Sequence, residues 1–137
     1  MSTPEFIRSG EQLLGIHIPA SFRPEKSKFF TGDDAKLQCG LMTYTAGTVV
    51  DAHVHKPVER HFWGTQEILM VRKGRSLASI YDDERRLICT KTLEQGDVLV
   101  LLGGGHGFRM LEETEFVEVK QGPYAGMDEK ERFGTPE

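Results

Sequence analysis

Cysteine is nearly missing from this chain: 137 residues hold two, Cys39 and Cys89, far apart and each in an apolar-alternating run. They read as buried free thiols, because a reducing cytosol keeps thiols unpaired and free cysteine buries well. Long apolar runs are missing too. No stretch approaches the ~20 apolar residues of a membrane span. Residues 1–11 lack the basic start and apolar run of a signal peptide, so a cytoplasmic location is expected. Positive charge is not in excess, with 17 basic against 21 acidic residues and a net charge of −4. With no basic cluster either, general nucleic-acid binding is excluded as an expectation. Helical periodicity is almost absent, and there is no repeat, low-complexity tract or linker.

What remains is strand after strand. The 38% hydrophobic and 28% charged content suits one soluble globular domain. Short β-rich runs between Gly-, Pro- and Asp-containing breaks predict strands over 13–18, 26–30, 36–44, 49–55, 67–72, 76–81, 87–93, 97–101, 106–111 and 115–120. Asp82-Asp83-Glu84 marks one hairpin turn and Glu94-Gln95-Gly96-Asp97 another. One short helix is expected near 128–133. Many short strands in one domain indicate a sandwich or barrel. The division expected is an N-terminal extension with edge strands over 1–35, a β-barrel over 36–121 and a C-terminal tail over 122–137. N-terminal strands often cover a sheet edge, their own or a partner's, so a homodimer is expected.

Five histidines occur, His17, His53, His55, His61 and His106. In a strand, His53 and His55 would share a face about 7 Å apart. Glu67 heads the apolar run Ile68-Leu69-Met70-Val71, where an unpaired buried carboxylate would be costly. His106 follows Gly103-Gly104-Gly105, backbone able to turn sharply and aim an imidazole inward. Singly, Glu67 reads as a wet strand end and His106 as an ordinary loop histidine; His17 reads as structural. Together, three imidazoles and one carboxylate make a nitrogen–oxygen ligand set suited to one divalent transition metal, Fe, Mn, Ni, Zn or Cu, and raw affinity does not choose between these. Four ligands on a six-coordinate ion leave two positions for a bidentate substrate, or for substrate and dioxygen.

The same residues resemble the cupins. That family's first motif runs Gly, five residues, His-x-His, a short spacer, Glu, six residues, Gly. Here Gly47 precedes His53-Val54-His55 with that spacing, and Glu67 precedes Gly74. The spacer departs from the family, running from Lys56 to Gln66 and reading as an insertion at the barrel mouth. Glu59 would satisfy the usual spacer, but Gln66 then stands where the motif needs glycine, so Glu67 is preferred. The second motif is degenerate over 96–106. Its glycines and His106 carry over, Leu101 stands one place early where proline is expected, and Met110 replaces asparagine. The resemblance covers about 36–119 and implies an all-β, cupin-type double-stranded β-helix, or jelly-roll barrel, in a single domain. It extends to small single-domain cupins, some linked to surface-polysaccharide or sugar-nucleotide pathways.

Arg60, His61 and Trp63 lie in the insertion. Arg60 could pair with a substrate carboxylate or phosphate, Trp63 could stack on a ring, and His61 could serve near neutral pH as an acid/base or ligand-supporting group. The bland reading has Arg60 paired with an acidic neighbour, Trp63 covering apolar surface and His61 idle. Tyr44, Phe108 and Met110 are expected to line the cavity. The function implied is a divalent-metal-dependent enzyme on a small oxygen-rich molecule, a sugar derivative or keto acid undergoing isomerisation or epimerisation, or a substrate of dioxygenase chemistry. Two alternatives stand beside it: a non-catalytic module binding a small ligand or metal, and a metal-free sugar-nucleotide isomerase or epimerase. No residue declares itself as a general base.

Overall fold

A computed structural model describes residues 3–136. Its regular structure is all β, with antiparallel sheets, apart from one turn of 3-10 helix over Met127–Glu129 among the described residues. The chain divides into two compact units, Met1–Phe22 with Thr65–Glu137, and Arg23–Gly64. No helix among the described residues is long and apolar enough to cross a membrane.

The first unit holds β1 (Glu5–Ser9), β2 (Gln12–Ile18), β5 (Glu67–Lys73), β6 (Ser76–Tyr81), β7 (Leu87–Leu93), β8 (Val98–Leu101), β9 (Gly105–Met110) and β10 (Glu115–Lys120). They form a five-stranded sheet in the order β1-β2-β8-β5-β10 and a three-stranded sheet in the order β7-β6-β9. Alternation along β5 buries Glu67, Leu69 and Val71 on one side. These apolar residues join Ile7, Leu14, Leu99 and Leu101 of the same sheet, and Ala78, Ile80 and Leu93 of the other, in one core. Each fully buried Leu or Ile there contributes about 1.5–3 kcal/mol. No ladder closes the two sheets into a barrel among the described residues.

Turn chemistry sets the register. Gly74, between β5 and β6, has φ +87°, and a Cβ there would sit 2.1 Å from the Glu113 carbonyl oxygen. Between β6 and β7, Asp82 Oδ1 accepts from the amides of Glu84 and Arg86, each at 2.9 Å, and Oδ2 accepts from Arg86 Nε at 2.9 Å. Buried Asp97 ties three segments. His17 Nε2 lies 2.9 Å from Oδ2, the Glu94 amide donates to Oδ2 at 3.0 Å, and the Ala20 amide donates to Oδ1 at 2.8 Å.

The tail belongs to this unit. The Phe133 ring meets Tyr81 edge-on at 5.0 Å with the Arg85 guanidinium 5.2 Å from its centre, and Arg109 Nη2 donates to the Pro136 carbonyl at 3.0 Å.

The second unit carries the two-residue strands β3 (Lys28–Phe29) and β4 (Gly40–Leu41), paired with each other. Gln38 braces their loop, accepting from Thr31 Oγ1 at 2.9 Å and donating to the carbonyls of Gly32 and Ala35.

Several expectations need correcting. The strand expected over 36–44 contracts to β4, and the one over 49–55 is not a strand: its residues are all exposed and carry no ladder. Strand propensity takes effect only against a neighbour, and Val49, Val50 and Val54 have none of the packing it needs. The helix near 128–133 reduces to the Met127–Glu129 turn. A strand at Glu5–Ser9, read as extension, pairs with β2. Cys39 and Cys89 are free and half-buried.

Candidate functional site

Glu67 opens β5, with Leu101 of β8 opposite on one side and Lys120 of β10 opposite on the other. An interior strand leaves its first side chain no easy route to water, and Glu67 is only 7% exposed. It is not a wet strand end. His106 stands on β9 of the other sheet, opposite Ile80. Its Nε2 lies 3.3 Å from Glu67 Oε2, so the pair bridges the two sheets. The turn before it explains the aim. Gly104 has φ +67°, and a Cβ there would stand 2.1 Å from the Tyr81 carbonyl oxygen. No other residue feeds the chain into β9 along that path.

Strand alternation then lines up His106, Phe108 and Met110 on one face. The Phe108 ring lies 5.7 Å from that of His106 and 5.3 Å from that of Phe116 on β10, while Met110 is half exposed. The hydrogen bond from His106 holds the Glu67 carboxyl below its ordinary range, and the positive charges of Lys120 and Lys130 add to this against the opposing effect of burial. Lys120 Nζ donates to Glu129 at 2.9 Å, and that bond raises the ammonium above its ordinary value.

Two residues that sequence reasoning missed flank the pair. The Gln66 amide donates to Gln121 Oε1, and Gln66 Nε2 donates to the Leu102 carbonyl at 3.3 Å. Gln66 Oε1 and Gln121 Nε2 are buried without partners among the described residues. An unmade buried hydrogen bond costs about 1–3 kcal/mol. The signal was position alone, since Gln66 precedes Glu67 and Gln121 follows its cross-strand partner Lys120.

In the other unit, His53 and His55 approach each other without a strand, their ring centres 5.3 Å apart at 64°. His53 Nδ1 lies 2.8 Å from the Asp51 carbonyl oxygen. A carbonyl only accepts, so Nδ1 is the donor and Nε2 is left free of this contact. That arrangement is how metal-binding imidazoles are commonly oriented. Tyr44, Arg60, His61 and Trp63 lie exposed in this unit, Trp63 at 98%, and His61 Nε2 is 3.3 Å from Glu59.

Of the four expected ligands, Glu67 and His106 lie in the first unit and His53 and His55 in the second. Among the described residues no three or more of His, Cys, Asp and Glu gather in a group able to hold a metal. Comparison with models of protein families, with curated proteins and with solved structures gives no match to this chain.

Proposed function

We propose that this chain is a jelly-roll metalloprotein of the cupin kind, holding one divalent transition metal through His53, His55, Glu67 and His106. Strand order supports the fold. A jelly roll is a long antiparallel ribbon rolled up on itself. Its closed end here is the hairpin β6–β7, and β5 with β8 continues it. The next two rungs need strands earlier in the chain, one along β9 and one along β10. Each of these has one ladder partner, β6 and β5 respectively. Residues 36–55 precede β5 in the order such strands require.

The single observation that carries the ligand reading is the buried carboxylate of Glu67 at 3.3 Å from the His106 imidazole. An ionised carboxylate beside a ring nitrogen is a hard, anionic half-site. His53, whose Nδ1 is taken by the Asp51 carbonyl, would offer its Nε2 as a nitrogen ligand. When bound, a divalent ion polarises a substrate oxygen and stabilises the charge that develops on it. The chain's own groups do the rest. Glu67 would supply the anionic ligand, Phe108 packs beside the His106 ring, and Arg60 would offer a planar fork to an anionic substrate. The substrate class this suits is small and oxygen-rich, a sugar derivative or keto acid undergoing isomerisation or epimerisation, or a substrate of dioxygen chemistry.

The Glu67–His106 contact also favours a second reading without metal. Glu67 would hold the Nε2 proton and leave Nδ1 of His106 as a base for proton abstraction next to a carbonyl. A panel of sugar phosphates, keto acids and catechols separates the readings. Turnover abolished by chelation and restored by one metal supports the metalloenzyme. Turnover unaffected by EDTA supports the acid/base site, and ligand binding without product supports a binding module.

A further inference from the structure

We propose that the tail over 129–136 is a strap whose Phe133 positions His106, holding the imidazole against Glu67 from the far side of β9. The inference rests on the reading of Glu67 and His106 as working groups and adds to it what keeps them in place. Every residue it uses lies in the first unit.

The first observation is the alternation of β9. Successive strand residues point to opposite faces, so Gly105, Gly107 and Arg109 share the face turned away from His106 and Phe108. The tail lies on that face. A Cβ at Gly105 would stand 2.8 Å from Phe133 Cζ, and one at Gly107 would stand 2.6 Å from Pro136 Cγ. Neither glycine has the left-handed φ that favours this residue. The close approach of the tail is what glycine serves at both positions.

The second observation is how firmly the tail is anchored there. Arg85 Nη2 lies 2.9 Å from Glu131 Oε1, and the same guanidinium stands 5.2 Å from the centre of the Phe133 ring. That ring meets Tyr81 edge-on, and Tyr81 is the cross-strand partner of Gly105, so the ring sits over the start of β9 beside His106. Arg109 then donates to the Pro136 carbonyl.

The third observation is the other end of the strap. Lys120, the cross-strand partner of Glu67, donates to Glu129 at 2.9 Å. The strap therefore starts beside Glu67 in one sheet and finishes on the strand that carries His106 in the other. It ties the two sheets at the end where the pair meets. A partly screened imidazole–carboxylate contact fixes little by itself, and pressure on β9 from behind supplies the constraint it lacks.

The test uses the chelator-treated full chain and diethyl pyrocarbonate, which acylates accessible imidazoles, with the rate at each histidine read by peptide mass mapping. His17, buried and tied to Asp97, is the internal reference. Phe133→Ala is expected to speed modification of His106 about fivefold, the factor lost with one screened ion pair. His17 should keep its rate, and Phe133→Leu should restore most of the protection. A tail that merely covers apolar surface would loosen both histidines together, and that result overturns the proposal. So does an unchanged His106 in Phe133→Ala. Should circular dichroism show that this variant does not fold, Gly107→Ala, which displaces Pro136 and keeps the ring, decides by the same comparison. Metal content separates this inference from the reading beneath it. Bound metal with an unmoved His106 removes the strap alone, and a faster His106 in a chain that binds no metal removes the metal reading alone.

Discussion

His106 Nε2 and Glu67 Oε2 lie 3.3 Å apart although their strands, β9 and β5, belong to different sheets. The pair is both a clasp between the sheets and half of the proposed centre. A double-mutant cycle with Glu67→Gln and His106→Ala is expected to show a coupling of about 1 kcal/mol in denaturant unfolding of the metal-free protein. The value is modest because the imidazole is 31% exposed and partly screened. A coupling indistinguishable from zero would mean that the clasp does not form.

Gly104 controls where that imidazole points. Gly104→Ala forces a side chain into a left-handed backbone and against the Tyr81 carbonyl, so a loss of about 1–3 kcal/mol is expected. The same change at Gly134, which has open space around it, is expected to stay within about 0.5 kcal/mol. Equal effects at the two positions would contradict the steric account.

Asp97 holds three donors from separated segments, His17, Ala20 and Glu94. Asp97→Ala is expected to cost about 2–4 kcal/mol, since it strips an acceptor from buried groups all at once. Thermal unfolding with Glu118→Ala on the outer edge as control measures this. A loss no larger than the control's would show that Asp97 is not the tie described.

Acid sensitivity should appear at the β6–β7 turn. Asp82 is held below its ordinary value of 3.8, first by the Arg86 amide and then by the Arg86 side chain and the Glu84 amide. A carboxyl with a depressed folded value stabilises the protein above the ordinary value and loses that contribution as pH falls through the depressed one. Asp82→Asn is therefore expected to melt a few degrees below the unaltered protein near neutrality. The gap should narrow as pH drops below 3.8. A gap that is constant with pH would contradict the charged-acceptor account.

Strands whose neighbours come early in the fold were readable from pattern alone. β6, β7 and β10 match the expected bounds residue for residue, because each meets an adjacent strand and a common core. The Asp82 turn was legible because its chemistry is local. The failure at 49–55 has the opposite cause, since strand propensity there meets no paired strand among the described residues. β1 was missed because Phe6 and Ile7 are its whole apolar content and its pairing is decided by the turn at Gly10. In the site, Glu67 and His106 were legible from type and position, and their contact across two sheets was not, because sequence carries no distance. Gln66 and Gln121 gave no signal, since glutamine at a strand end is ordinary until its surroundings are known.

Elemental analysis of freshly purified protein, beside His53→Ala, His106→Ala and a His17→Ala control, tests the central claim most directly. The account predicts about one equivalent of a divalent transition metal per chain in the unaltered protein and the control, and almost none in the two ligand variants. A metal-free unaltered protein, or variants that keep their metal, would contradict it.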